Sequence, residues 1–198
     1  MSNKGLRLPA EPLTDDEVQA LIQCCNPRFV TGSRNRALIG VLYRCGLRIS
    51  EALDLRVADV DVAGGSVRIL HGKGDKARTV GLDDGAAHLI QQWIEVRASL
   101  PVTLRSPLIC THSGGRMLPS NARRLFARLG RKAGLAKRVH PHGLRHSHAA
   151  QLADEGVPVH VIQRQLGHSN VSVTSRYIDH LNPQEVINAI RSRTWTAA

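Results

Sequence analysis

Aromatic side chains are scarce in this 198-residue chain: two Trp, two Tyr and two Phe, 3% in all. Binding single strands by stacking successive bases takes more rings than that, which argues against such a mode as the main function. Acidic residues are few as well, 16 against 27 Lys and Arg. They sit singly or in early helix turns, whereas a metal-dependent nuclease needs clustered carboxylates. No apolar run approaches the roughly 18–20 residues of a membrane span. Met1 to Pro12 lacks the apolar stretch of a secretory signal. The four cysteines, Cys24, Cys25, Cys45 and Cys110, contain no Cys-x-x-Cys pair. Reduced thiols in a cytoplasmic protein, packed as small apolar groups, account for them.

What is present is a formal charge of +11 and 42% hydrophobic residues, enough to pack one ordinary domain. A field of that sign favours polyanions. With so few rings, double-stranded DNA gripped through its phosphates is the fitting partner, and no membrane is expected.

The hydrophobic pattern predicts an α+β fold, mainly α-helical with a small three-stranded antiparallel sheet. Residues 1–12 read as a flexible tail and 13–198 as the folded domain. Thr14-Asp15-Asp16-Glu17 is a capping box that opens a helix through about Cys25. A second helix is expected from about Ser33 to Cys45, stopped by Gly46, and a short one from Ser50 to Leu55. Alternation at Val60 and Val62, then Val67 and Ile69, then Arg78 to Val80, with glycine-rich turns between, predicts the three strands. Helices follow over 84–98, from a Ser120 cap, over 142–155, 158–166, 171–178 and 183–192, with Pro158 and Pro183 in first turns. Residues 121–138 hold seven Lys and Arg and no acid. That uniform sign makes Arg123, Arg124, Arg128, Arg131 and Lys132 candidates for DNA-backbone binding.

Four patches can carry chemistry. Arg48, at the start of a short helix in Gly46-Leu47-Arg48-Ile49-Ser50-Glu51, can address an anion together with free backbone N–H groups, and Glu51 can hold its guanidinium. Lys73 sits in the tight turn Gly72-Lys73-Gly74, where flanking glycines admit a ligand or simply make a solvated loop. In His140-Pro141-His142-Gly143-Leu144-Arg145-His146, His142 and His146 lie one helical turn apart, a spacing that metal ligands use. Yet no Asp, Glu or Cys accompanies them and Arg145 would repel a cation, so no metal is expected. His142 and Arg145 instead share a helix face as a proton-transfer group and a planar anion clamp. The last patch joins His168 in Leu166-Gly167-His168-Ser169 to Tyr177, nine residues on. A helix-turn-helix reader spanning Val157 to Tyr177 is the plain competitor.

Taken in order, Arg48, Lys73, His142-x-x-Arg145, His168 and Tyr177 resemble the catalytic set of the tyrosine recombinase (phage integrase) family. The resemblance runs from about Leu13 to Ile190 and looks closest to Xer-like enzymes and the short recombinases that invert fimbrial switches. It implies a site-specific recombinase that cleaves and rejoins duplex DNA through a 3′-phosphotyrosine, in integration, excision or inversion, with Tyr177 as nucleophile. Arg48 and Arg145 would clamp the phosphate, His168 would hydrogen-bond it, His142 would take the tyrosine proton and Lys73 would protonate the leaving oxygen. No cofactor is implied. A homotetramer on two DNA sites is, with a helix over 183–192 docking on a neighbour. The amino-terminal core-binding domain of most members has no counterpart here, so an accessory protein is a possible partner. A cytoplasmic, nucleoid-associated bacterial protein is implied. The alternatives are a catalytically silent DNA-binding regulator on the same fold and a type IB topoisomerase.

Overall fold

Thr14 accepts a hydrogen bond from the Glu17 N–H at 3.2 Å while the Glu17 carboxylate accepts the Thr14 N–H at 2.9 Å. This reciprocal cap opens α1, Asp15–Gln23, as the sequence predicts. The computed structural model describes residues 11–70, 72 and 77–167. Helix α2, Val30–Arg44, is the centre of the molecule. Ala37, Leu38, Ile39, Val41 and Leu42 are fully buried, covering nearly its whole circumference, the pattern of a helix with neighbours on every side. It begins three residues before the expected Ser33, on Phe29, which supplies no side-chain cap. Ser33 instead donates its hydroxyl to the Pro27 carbonyl at 2.9 Å and is spent inside the first turns.

Helix α3, Ile49–Asp54, leads through a short 3₁₀ turn to β1, Val60–Asp61, β2, Ser66–Ile69, and β3, Arg78–Gly81. The strands form an antiparallel sheet in the order β1-β2-β3, with Val67 opposite both Val60 and Val80. Helix α4, Asp84–Arg97, packs against α2. Its Trp93 is fully buried and donates its indole N–H to the Leu108 carbonyl at 2.7 Å, which satisfies the ring's only polar atom.

Helix α5, Pro119–Lys132, starts at the proline, not at a Ser120 cap. Proline lacks the N–H that a first helical residue leaves unused, and its fixed φ suits that position. Helix α6, Pro141–Asp154, starts the same way, one residue earlier than expected. In α7, Val159–Leu166, Pro158 is the residue just outside the helix, not within its first turn. A small apolar cluster of Ala149, Ala153, Ile162 and Leu166 joins α6 to α7. The helices expected over 171–178 and 183–192 lie outside the described residues. Among the described residues, no helix is long and apolar enough to cross a membrane.

Candidate active site and nucleic-acid interface

Helix α2 ends where Gly46 adopts a φ of +64°. A Cβ at that position would run into the His148 ring and come within 2.9 Å of Leu166 Cδ2. Only glycine both accepts the left-handed turn and lets the chain pass this close to α6 and α7. The turn delivers Arg48 to the start of α3.

Arg48 is tied to Glu51 twice: its backbone N–H meets Oε2 at 2.8 Å and its Nη1 meets Oε1 at 2.8 Å. Its Nη2 donates to the Gly167 carbonyl at 3.2 Å. The expected pairing of Glu51 with Arg48 is therefore present. A second guanidinium shares the carboxylate. Arg78, the first residue of β3, donates Nη1 and Nη2 to Glu51 Oε1 and Oε2, both at 2.9 Å. This is the planar fork-to-fork geometry available to arginine alone. Arg78 also packs on the Gly167 backbone, since a Cβ there would stand 2.7 Å from its Nε. Burial pushes the Glu51 carboxyl up, but the hydrogen bonds from Arg78 and Arg48 outweigh this and bring its pKa down to about 2.

Arg145 arrives from α6 and places Nη1 4.0 Å from Glu51 Oε2. It is buried, and two backbone carbonyls set the plane of its guanidinium: Gly46 at 2.6 Å and Leu166 at 2.7 Å. One turn earlier, His140 caps α6 by accepting the Gly143 N–H on Nδ1 at 3.0 Å. The His142 ring lies stacked beside it, centroids 6.4 Å apart. Desolvation of its inner side, then the positive charges of Arg145 and Arg48, lower the His142 pKa. The imidazole is thus biased toward its neutral form, with a lone pair that can take a proton. His142 stays exposed while Arg145 is buried, so the helix face they share runs from surface to interior.

Four of the sequence-predicted residues, Arg48, Glu51, His142 and Arg145, are therefore brought together. Lys73, His168 and Tyr177 lie outside the described residues. The sequence reading missed Arg78, whose partner is 27 residues away. Its one local sign is a strand-initial arginine following the sequence Gly-Lys-Gly-Asp-Lys.

The second basic surface is α5. Ala122, Leu125, Phe126 and Leu129 are buried, while Arg123, Arg124, Arg128, Arg131 and Lys132 face outward. Arg124, Arg128 and Arg131 line a groove with Arg34 of α2, a fourth arginine that the charge-run reading overlooked. Lys132 departs from the expected free surface cation: its Nζ donates to the Cys24 carbonyl at 2.8 Å and so helps hold the end of α1. Among the described residues, none of these five cations meets a carboxylate, and no group of His, Cys, Asp and Glu converges to hold a metal.

Comparison with known proteins places this geometry. The model of the phage integrase family matches residues 11–184. The chain is 36% identical over 181 residues to a tyrosine recombinase of Thermosipho africanus, covering 90% of this chain and 60% of the relative. It is 36% identical over 191 residues to tyrosine recombinase XerC of Proteus mirabilis, covering 92% and 61%. It therefore spans about three-fifths of the length of these curated relatives. The crystal structure of XerA recombinase superposes with a TM-score of 0.80 at 28% identity, covering 97% of this chain and 67% of that one. XerH recombinase bound to a palindromic difH substrate in a post-cleavage complex gives 0.76 at 26% identity, covering 96% and 55%. By its sequence over most of its length, and by the fold that carries the arginine cluster, the chain belongs to the phage integrase family.

Proposed function

We propose that this chain is the catalytic part of a site-specific DNA recombinase that cuts and rejoins duplex DNA through Tyr177. The observation that carries the reading is the meeting of Arg48 and Arg145, from separate helices, on the Glu51 carboxylate, with a neutral-biased His142 alongside. A phosphodiester is a poor electrophile because its charge repels nucleophiles, and two fixed guanidinium groups answer that difficulty. The Tyr177 oxygen attacks phosphorus and the bond to the 5′-oxygen breaks, leaving a 3′-phosphotyrosine and a 5′-hydroxyl. His142 takes the phenolic proton, Lys73 supplies one to the departing oxygen, and His168 hydrogen-bonds a non-bridging oxygen. The phosphotyrosine keeps the bond energy, so a 5′-hydroxyl of the partner strand reverses the step without metal or ATP. Arg123, Arg124, Arg128 and Arg131 hold flanking phosphates, with Lys132 dividing its charge between DNA and α1.

The same reading makes the working form a homotetramer on two DNA sites, in the bacterial cytoplasm and nucleoid, with an accessory protein as a further partner. The structure of XerH on its substrate supports DNA as the ligand of this fold.

The test is a nicked, labelled duplex built from the repeats that flank the gene, run on a denaturing gel. A slow band that forms without magnesium and disappears in Tyr177→Phe is the expected result. Tight binding with no such band on any flanking repeat would favour a silent regulator, or a chain that needs a partner protein to complete its clamp on DNA.

A further inference from the structure

Gln165 lies near the end of α7, and its side-chain amide joins two backbone segments remote from it in sequence. Oε1 accepts the Gly81 N–H at 2.9 Å, and Nε2 donates to the Gly81 carbonyl at 3.1 Å and to the Cys45 carbonyl at 3.3 Å. Gly81 ends β3, the outer strand of the sheet. A primary amide carries the same donor and acceptor as a peptide group, so Gln165 pairs with Gly81 as a neighbouring strand would.

The third bond is placed with respect to Arg145. Its Nη1 and Nη2 are oriented by the carbonyls of Gly46 and Leu166. Gly46 follows Cys45 and Leu166 follows Gln165, so the bond from Gln165 to Cys45 bridges the chain one residue before each of the two acceptors. The Gly81 pair acts on the other arginine. It fixes β3 against α7, and β3 begins with Arg78, which forks the carboxylate that holds Arg48.

We propose that Gln165 is the positioning residue of the arginine pair. It sets the separation of the two carbonyls that orient Arg145, and it fixes the strand whose Arg78 steadies Glu51 and Arg48. It touches no phosphate itself. The inference rests on the reading of Arg48 and Arg145 as the phosphate clamp.

The experiment measures single-turnover cleavage by the full chain on nicked duplexes carrying the flanking repeats. One set has the natural scissile phosphate and the other a neutral methylphosphonate, which presents no charge for an arginine to offset. Gln165→Met is expected to cut the phosphate about 10- to 100-fold more slowly, the usual penalty for a small misplacement of a catalytic group. It should cut the methylphosphonate near the wild-type rate and melt near the wild-type temperature. Equal losses on both substrates, or no loss on the phosphate, would overturn the proposal. Should Gln165→Met fail to fold, Gln165→Glu keeps the acceptor for Gly81 and removes both donors, and the same comparison applies. Arg145→Ala, run in parallel, is expected to regain cleavage on the neutral substrate. If it does and the Gln165 variants do not, the clamp stands and Gln165 has no positioning role. If it does not, the clamp reading falls and this inference falls with it.

Discussion

Two sets of arginines in this molecule differ in almost every physical respect except charge. The inner set, Arg48, Arg78 and Arg145, is largely withdrawn from solvent, with side-chain exposures of 26%, 13% and 3%. Each guanidinium is held by the Glu51 carboxylate, by backbone carbonyls or by both. The outer set on α5 is exposed, and among the described residues the hydrogen bond that braces Arg124 is to the Asn121 side chain, at 2.6 Å. A cation held in place before the ligand arrives needs no reorganisation as charge builds on a phosphate, which favours chemistry. A cation on a mobile stem in water contributes mainly by releasing counterions, which favours affinity. On the function proposed above, the fold separates cutting DNA from holding it, although both tasks use the same residue type.

The sharpest way to break this division is Arg48→Ala. Single-turnover cleavage is expected to fall by about 10²–10³-fold, the loss typical of removing one preorganised donor, while the duplex dissociation constant changes little. A variant that cleaves normally would remove Arg48 from the inner set.

Glu51→Ala attacks the same set through its anchor. With the carboxylate gone, the buried guanidinium groups lose their counter-charge, and a loss of about 3–5 kcal/mol of folding stability is expected in urea titrations. The pH dependence has a definite sign. The folded pKa near 2 lies below the ordinary carboxyl value of 4.5, so this stabilisation is complete above 4.5 and is lost as pH falls toward 2. Glu51→Gln should lack that component of the acid transition, and an unchanged acid limb would show that Glu51 is not its source.

The outer set predicts a different signature. Replacing Arg124 and Arg128 together should leave the cleavage rate at saturating DNA intact. It should make the slope of log affinity against log salt shallower by about 0.9 for each phosphate no longer neutralised. An unchanged slope would move the DNA-holding surface away from α5.

The smallest effect at neutral pH is expected at His148, which lies beneath the inner set against Gly46. Neither of its ring nitrogens has a hydrogen-bond partner among the described residues. Burial, then the charges of Arg44 and Arg145, hold its pKa down at about 4, with Asp83 opposing. The folded state therefore binds fewer protons than the unfolded chain between about pH 6.5 and 4, and stability declines as pH falls through that window. His148→Leu should be near neutral at pH 7 and should flatten the decline, as measured by melting temperature against pH.

Much of this was legible in the sequence because it is written locally. The Thr14–Glu17 cap, the glycine-punctuated strands and the basic face of α5 each depend on residues a few positions apart. The Arg48–Glu51 pair is local too, one turn along α3. What was illegible is non-local. Arg78 meets Glu51 across 27 residues, and Gln165 meets Gly81 across 84 and Cys45 across 120. No periodicity reports such pairings, because they are set by how packed elements cross. Two helix starts slipped for local reasons: Phe29 offers no capping side chain to mark the start of α2, and at α5 the Ser120 cap signal competed with Pro119, which takes the first helical position.

The closure of the sheet edge at Gly81 has a consequence for self-association. An outer strand with unengaged N–H and C=O groups is a template on which a second copy can add its own strand. Here β3 is only four residues long and its last peptide groups are taken by Gln165, while the opposite edge, β1, is two residues long. The described sheet offers little to pair with at either side. On the function proposed above, copies of this chain that gather on DNA find no ready strand template in the described sheet, and strand addition at its edges is not what holds them together.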